Sequence, residues 1–181
     1  MKEDLFAIRP SIPQDIDRIM KVYESAKYYM RSSGNFKQWT GGYPDKNTIL
    51  SDISRRCHYL AEDEEGNLLM VFTFIIGPDP TYKVIERGAW LNDLPYGTIH
   101  RIASSGMKGG MLKVCVDYCK EIIDNIRIDT HADNSPMLNA LHHLKFTFCG
   151  IIHTVDGSPR LAFQKNYRPE IIMGIDFRNY E

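Results

Sequence analysis

Residues 98–112 read Thr-Ile-His-Arg-Ile-Ala-Ser-Ser-Gly-Met-Lys-Gly-Gly-Met-Leu, and this stretch decides the fold. Its first part, 98–103, alternates polar and apolar side chains and includes β-branched residues, which predicts a strand with one buried face. Residues 106–110 are a glycine-rich bend, and apolar residues at helical spacing follow from Met111 to Ile126. A strand, a glycine bend and a helix in this order expose backbone N–H groups at the helix start, where phosphate binds readily.

The glycine bend has a second interpretation, a flexible turn that binds nothing. Two well-known phosphate loops do not match, because no Gly-Lys-Ser/Thr follows and the first Gly-x-Gly pair of the dinucleotide fingerprint is missing. Lys108 and Lys113 put positive charge beside the bend, which favours a pyrophosphate. Both interpretations stay open at this point.

Upstream of this stretch, the patterns predict a strand, two helices and a hairpin. Ser11-x-x-Gln14 is a capping-box pattern and predicts the start of the first helix, and Ser33-Gly34 predicts its end. Residues 77–97 contain several prolines and are expected to be mostly loop. The predicted upstream elements are a strand at 5–8, a helix over 16–30, a shorter helix over 46–56, and hairpin strands at 58–62 and 68–76.

Downstream, residues 127–131 predict a strand, Asp133–Pro136 opens a helix, and 146–165 form a hairpin around Asp156-Gly157. The predicted order is therefore β-α-α-β-β-β-α-β-α-β-β, an α/β (α+β) arrangement around a mixed sheet flanked by helices. We expect one domain over 1–181, with 167–181 as an unassigned tail.

Composition excludes several classes of protein. The chain has 181 residues, 43% of them hydrophobic and 25% charged, which is typical of a globular protein, and its formal net charge of −1 does not favour nucleic-acid binding. The longest apolar run, 68–76, is too short to cross a bilayer as a helix, and residues 1–5 do not resemble a signal peptide. We expect a cytoplasmic protein that does not bind membranes, with its four cysteines reduced.

The order of elements and the glycine bend resemble the GNAT superfamily of N-acetyltransferases. That family carries Gln/Arg-x-x-Gly-x-Gly/Ala at a strand-to-helix junction, where it cradles the pyrophosphate of acetyl-CoA. The resemblance spans nearly the whole chain, from the strand at 7–10 to the turn at 156–157. It implies a mixed, mostly antiparallel sheet, acetyl-CoA as co-substrate and an amine as acceptor.

The resemblance also implies a set of cofactor-binding residues. Residues 100–103 match the strand whose backbone pairs with the pantetheine arm, and Asn134 matches an asparagine that contacts the cofactor. The loop fits in two registers: one runs from Met107 through Gly110 to Leu112, and the other starts at Gly106. We favour the first, so the implied cofactor-binding residues are Ile102, Ala103, Met107, Lys108, Gly109, Gly110, Met111, Leu112 and Asn134.

One departure from the family bears on catalysis. The family often has a Tyr near the end of the Asn134 helix that protonates the departing thiolate, and this sequence has Leu141 there. The thiolate would then leave with help from another group or from water. This departure keeps a rival function open, a CoA-binding or regulatory module without turnover.

The resemblance implies direct attack of a neutral amine on the thioester, and an alkyl ammonium must first lose a proton. His100 is the expected general base, because histidine titrates in the useful range. Glu86 and Asp129 are alternatives, and a structural role for His100 stays open. His142-His143 and His131-Ala132-Asp133 lack a third ligand at a standard spacing, so no metal is expected.

The loop over 35–45 is a candidate acceptor site. Trp39 and Tyr43 either bind the acceptor, by stacking or by cation–π attraction, or hold the loop against the core. The acceptor is expected to be a small molecule or a peptide that carries an amine. The apolar segment Ile171-Ile172-Met173 suggests a homodimer surface.

Overall fold

The computed structural model describes residues 6–168, which form one seven-stranded sheet with four α-helices. Two short 3-10 turns, at Pro13–Asp15 and Pro80–Tyr82, precede α1 and β4. The predicted order of elements and the mixed α/β class are confirmed. The elements are β1 (Phe6–Pro10), α1 (Ile16–Ser32), α2 (Lys46–Ser54), β2 (His58–Asp63), β3 (Leu68–Ile76), β4 (Gly97–Ser104), α3 (Met111–Lys120), β5 (Asn125–Thr130), α4 (Ser135–His143), β6 (Thr147–His153) and β7 (Pro159–Asn166).

The strands lie in the order β1-β2-β3-β4-β5-β7-β6, and all neighbours are antiparallel except β4 and β5. The parallel pair is short: it runs only from Gly97 opposite Ile126 to Ile99 opposite Ile128. Both strands continue beyond that point, β4 to Ser104 and β5 to Thr130. The two strands therefore separate, and their facing edges have no partner strand there among the described residues.

The sheet carries helices on both faces, as the alternation along β3 shows. Met70 and Phe72 belong to a core cluster with residues of α3 and α4, whereas Val71 belongs to a second cluster with residues of α1 and α2. Successive side chains of a strand point to opposite faces, so the two helix pairs lie on opposite sides of the sheet. β4 runs between these two layers, and this places its free edge in the middle of the molecule.

Two local predictions were wrong. Ser11 does not cap the first helix, because its Oγ lies 2.8 Å from His58 Nδ1, a buried contact that only the folded sheet provides. Helix α3 ends at Lys120, and Ile126 lies in β5, where it pairs with Gly97 on one side and Lys165 on the other. In both cases a tertiary partner overrides the local pattern.

The segment 171–173, expected to form a dimer surface, lies outside the described residues. Among residues 6–168, none of the helices combines the length and apolar character needed to cross a membrane.

Candidate functional site

A cavity of about 1360 Å³ lies where β4 and β5 separate. Met107 does not line it, and its side chain is 62% exposed. One cavity therefore brings together the β4 edge, the glycine bend, the start of α4 and the loop over 35–45. The sequence-predicted site residues in its lining are Trp39, Tyr43, His100, Ile102, Ala103, Lys108, Gly109, Gly110, Met111, Leu112 and Asn134.

The start of α3 faces this cavity with open backbone. Gly110 is the N-cap residue at φ +75°, and it has no side chain to accept a hydrogen bond from the first turn. The N–H groups of Lys113 and Val114 bond to the Gly110 carbonyl. The N–H groups of Met111 and Leu112 have no acceptor within the helix, so they and the helix dipole favour an anion here.

The glycines of the bend leave this backbone accessible. A Cβ added at Gly106, Gly109 or Gly110 would meet no atom within 4 Å. Lys108 lines the cavity, and its Nζ lies 5.0 Å from the centre of the Phe6 ring. Lys113 lies outside the lining and forms an ion pair with Asp117 at 2.5 Å. Of the two lysines beside the bend, Lys108 is the one that lines the cavity.

A bulge in β4 places two consecutive side chains on one face. Val71 pairs with Ala103 and Thr73 with His100, so one residue of β3 faces two of β4. The extra residue, Arg101, has φ +50°. Its side chain bonds to Asp52 of α2 on the face that His100 shares with Thr73. His100 and Arg101 both line the cavity from this face.

His100 is held by a carboxylate. Its Nε2 lies 2.8 Å from Asp79 Oδ2, and Thr81 donates to the other oxygen of Asp79 from its backbone N–H and its hydroxyl. Burial opposes the ionisation of Asp79, but the hydrogen bonds from His100 and Thr81 outweigh it and lower the pKa of Asp79 to about 2. An ionised carboxylate only accepts, so the His100 proton belongs on Nε2 and the lone pair on Nδ1.

The two alternative carboxylates lie in different places. Asp129 lines the cavity, and its Oδ1 accepts a hydrogen bond of 2.7 Å from the Tyr82 hydroxyl. Burial raises the pKa of Tyr82 well above its ordinary value, so this hydroxyl stays protonated. Glu86 is exposed, lies outside the lining, and forms a backbone bridge with Ile151. Of the two alternatives predicted from the sequence, Asp129 is therefore the one that lines the cavity with His100.

The loop over 35–45 contacts α1 and the start of α4. Trp39 packs edge-on against Tyr23 of α1, with ring centres 5.6 Å apart, and also lines the cavity. Gln38 Oε1 accepts hydrogen bonds from Asn35 Nδ2 and from Asn134 Nδ2. Asn134 caps α4 by accepting from the N–H of Met137. The two interpretations of Trp39 are therefore compatible, since one ring contacts the core and the cavity.

A buried chain of hydrogen-bonded polar side chains holds the backbone of the bulge in β4. His58 Nδ1 lies 2.8 Å from Ser11 Oγ, and its Nε2 lies 3.2 Å from the Tyr23 hydroxyl. That hydroxyl donates to the backbone carbonyl of Arg101 at 2.8 Å. Burial lowers the pKa of His58 to about 4, so the ring is neutral near pH 7. These residues hold the backbone of β4 where the strand departs from regular pairing.

Comparison with known proteins decides the family. No protein-family model matches the sequence, and no curated protein matches it. The solved structure of an acetyltransferase of the GNAT family from Streptococcus agalactiae 2603 is 33% identical, with a TM-score of 0.80 over 89% of this chain and 95% of that one. The chain belongs to the GNAT family of acetyltransferases.

Solved acetyltransferase structures of lower sequence identity share the fold. A GNAT acetyltransferase from Listeria monocytogenes 4b F2365 has a TM-score of 0.67 at 20% identity, covering 89% of this chain and 94% of that one. A Salmonella typhimurium structure solved with its cofactor acetyl-CoA has a TM-score of 0.57 at 14% identity, covering 90% and 94%. The mostly antiparallel sheet that the resemblance implied is thus confirmed by both the topology and these neighbours.

The GNAT cavity also lacks one expected group. Leu141, at the position of the family's frequent Tyr, is fully buried in the core between α3, α4 and the sheet. No hydroxyl is therefore available at that place. Within residues 6–168, no three His, Cys, Asp or Glu side chains lie together in a way that could hold a metal ion.

Sequence reasoning missed Asp79, Arg101 and Asp52. Asp79 stands in Gly77-Pro78-Asp79-Pro80, which reads as a simple chain break, and its partner His100 is 21 residues away. Arg101 reads as an ordinary strand residue, because a bulge has no clear sequence signature. No local signal identified these three residues.

Proposed function

We propose that this protein transfers the acetyl group of acetyl-CoA directly to a primary amine in a ternary complex. One observation carries the proposal: a single cavity contains an anion-binding helix start, an unpaired strand edge and a histidine held by a carboxylate. The helix start suits the pyrophosphate of CoA, and the strand edge suits its pantetheine arm. The third suits the removal of a proton from an amine.

The α3 end of the cavity fits a pyrophosphate. The N–H groups of Met111 and Leu112 have no acceptor within α3, a Cβ at Gly109 or Gly110 would meet open space, and Lys108 lines this part of the cavity. Gly110 as the N-cap favours the loop register from Met107 to Leu112. Acetyl-CoA, when bound, supplies an activated thioester.

The separated edge of β4 fits the pantetheine arm. Beyond Ile99, no strand within residues 6–168 pairs with this edge on the β5 side, so its backbone groups can bond to amides of a ligand. Ile102 and Ala103 lie on this part of the strand and line the cavity. A backbone N–H of the same segment would stabilise the oxyanion that forms when the amine attacks.

His100 is proposed as the general base. When the ring is neutral, Nδ1 carries the lone pair while Asp79 accepts from Nε2, so Nδ1 takes a proton from the bound ammonium, and the neutral amine then attacks the thioester carbonyl. Asp79 acts as a positioning residue that fixes the ring and its protonation pattern, as carboxylates do for catalytic histidines elsewhere. Asp129 adds negative charge near the ammonium.

A second function is favoured by one observation, the burial of Leu141 in the core. Without a hydroxyl there, the departing thiolate must take its proton from water or from another group. A protein that binds CoA for regulation, without turnover, would tolerate this loss. The two functions differ in whether thiol is released.

The test combines calorimetric titration with acetyl-CoA and an assay of free thiol released with a panel of amines. We expect binding and release for the wild type, and a kcat for His100→Gln lower by roughly a hundredfold or more. His153→Gln, an exposed histidine outside the cavity lining, is the matched control and should keep its kcat. Binding without any thiol release would favour the regulatory module, and absence of binding at millimolar acetyl-CoA would refute both functions.

A further inference from the structure

The side chain of Arg101 is anchored but not saturated. Its Nε donates to Asp52 Oδ2 at 2.8 Å, one terminal nitrogen forms an ion pair with the same oxygen at 2.6 Å, and the other terminal nitrogen donates to the Tyr43 hydroxyl at 2.7 Å. A guanidinium has five N–H groups, so one remains on each terminal nitrogen. No further acceptor for them lies among the described residues, and Arg101 lines the cavity.

Tyr43 extends the same donor surface. Its hydroxyl oxygen already accepts from Arg101, so its own O–H is available to donate. The residue is 39% exposed and lines the cavity beside Arg101. Arg101 and Tyr43 together offer three hydrogen-bond donors to a ligand.

The local charge is positive. Asp52 is buried, and it is shared by Arg101 and by Arg55, which bonds to its other oxygen at 2.7 Å. Thr73 donates to Asp52 as well, so both oxygens of this carboxylate accept hydrogen bonds from the protein. Two cations with one anion between them leave an excess charge of one at this corner of the cavity.

Negative charge lies on the side of the cavity that His100 lines, next to Arg101. Asp79 holds His100, and Asp129 accepts from Tyr82, whose ring centre lies 6.0 Å from that of His100, so these two carboxylates lie on the side where the amine is expected. The bulge places His100 and Arg101 side by side on one face of β4. A small ligand can therefore reach a base with its amine and the guanidinium with an anionic group.

From this arrangement we infer that the acceptor is an amine that also carries a carboxylate, an amino acid or a close analogue, bound through Arg101 and Tyr43. A carboxylate matches the two remaining N–H groups, because they lie on the two terminal nitrogens of a planar fork that binds carboxylates in bidentate fashion. The inference rests on the proposed amine acetylation and names its substrate class.

The test measures binding without turnover. The protein, saturated with CoA, is titrated calorimetrically with each of the twenty amino acids as the free acid and as its carboxamide. We expect at least one free acid to bind about tenfold or more tightly than its carboxamide, since the carboxamide loses the charge. Equal or tighter binding of carboxamides, tighter binding of aminoalkyl phosphonates, or no binding of any free acid would overturn the inference.

Two variants assign the preference to this corner. Tyr43→Phe removes one donor at an exposed position and should lower the preference for the acid severalfold, as should Arg101→Lys, which keeps a cation for Asp52. Tyr118→Phe removes a hydroxyl of α3 outside the cavity lining and serves as the control, with the preference unchanged. An unchanged preference in Tyr43→Phe and Arg101→Lys would contradict the assignment.

The thiol-release assay separates the two proposals. Release with plain alkylamines and no preference for acids would refute the carboxylate inference and leave amine acetylation standing. A clear binding preference for free acids without thiol release from any amine would refute acetyl transfer. It would still support an amine that carries a carboxylate as the ligand of Arg101 and Tyr43.

Discussion

The α3 end of the cavity is built from backbone, whereas the end that faces α1 and α2 is built from side chains. At the α3 end, the N–H groups after Gly110 and the open space at Gly106 and Gly109 define the surface. At the other end, His100 and Arg101 are each held by a carboxylate from a distant segment. We expect the backbone surface to bind the pyrophosphate of CoA, which is the same for every acceptor. We expect the side-chain surface to determine which acceptor binds.

The difference also concerns how each end is stabilised. The glycine bend depends on a few consecutive residues, so one substitution there should act locally. The end that faces α1 and α2 depends on contacts across the fold, such as Ser11 to His58 and Tyr23 to the Arg101 carbonyl. Changes there should affect stability and specificity together.

The largest effect is expected at the backbone end, for Gly110→Asp. Asp would put a carboxylate where phosphate is expected, and its side chain would occupy the first-turn N–H groups as an N-cap. We expect acetyl-CoA affinity to fall about a thousandfold in calorimetric titration, as for the loss of two charge-assisted hydrogen bonds. Gly66→Asp, at φ +80° in the turn between β2 and β3, is the control for backbone strain. Equal losses in both variants would contradict the assignment.

The next effect tests the buried support of the side-chain end. Burial lowers the pKa of His58 from 6.5 to about 4, so below pH 6.5 the unfolded chain binds a proton that the folded protein does not. The stability from neutral His58 is therefore complete above pH 6.5 and is lost as the pH falls towards 4. The lost free energy of unfolding is about 3 kcal/mol.

Urea denaturation from pH 4 to 7 measures this loss. His58→Gln should be less stable than the wild type at pH 7 and should lack this part of the acid destabilisation. His153→Gln, which changes an exposed histidine, should follow the wild-type curve. Parallel pH dependence in the wild type and His58→Gln would show that His58 is not buried in neutral form.

The smallest effect is expected for Asp79→Asn, which changes the partner of His100 and not the base itself. The Asn amide can either accept from or donate to Nε2 of His100. Part of the histidine population then carries its proton on Nδ1, where it cannot accept a proton from the ammonium. We expect kcat to fall about tenfold, with a smaller change in KM for acetyl-CoA. Asp63→Asn, at the last residue of β2 and outside the cavity lining, is the control and should keep its kcat. A kcat unchanged in Asp79→Asn would remove Asp79 from the mechanism.

Local patterns predicted the regular elements well, because each rests on neighbouring residues. The apolar spacing from Ile16 to Met30 matches α1, and the alternation in 98–103 matches β4. Asn134 caps α4 as its position before Ser135-Pro136 indicates. The site residues on these elements line one cavity for the same reason, since the order of elements fixes where strand ends and helix starts meet.

Local sequence patterns could not predict which distant residues contact these side chains. The bulge at Arg101 arises from pairing with β3, and the bond between Gln38 and Asn134 joins residues 96 apart in the chain. Helix periodicity extended to Ile126 until pairing with β7 placed that residue in a strand. In each case the deciding energy comes from a contact between distant segments.

The sequence by itself determined the order of elements, the glycine bend at a helix start, and a histidine on the central strand. These follow from periodicity and from the conformational freedom of glycine, which act over a few residues. Only the tertiary structure decided that β4 separates from β5, that His100 is held by Asp79, and that Arg101 shares its face. Those features depend on sheet register and on ion pairs between distant segments, because only folding brings such groups within hydrogen-bond distance.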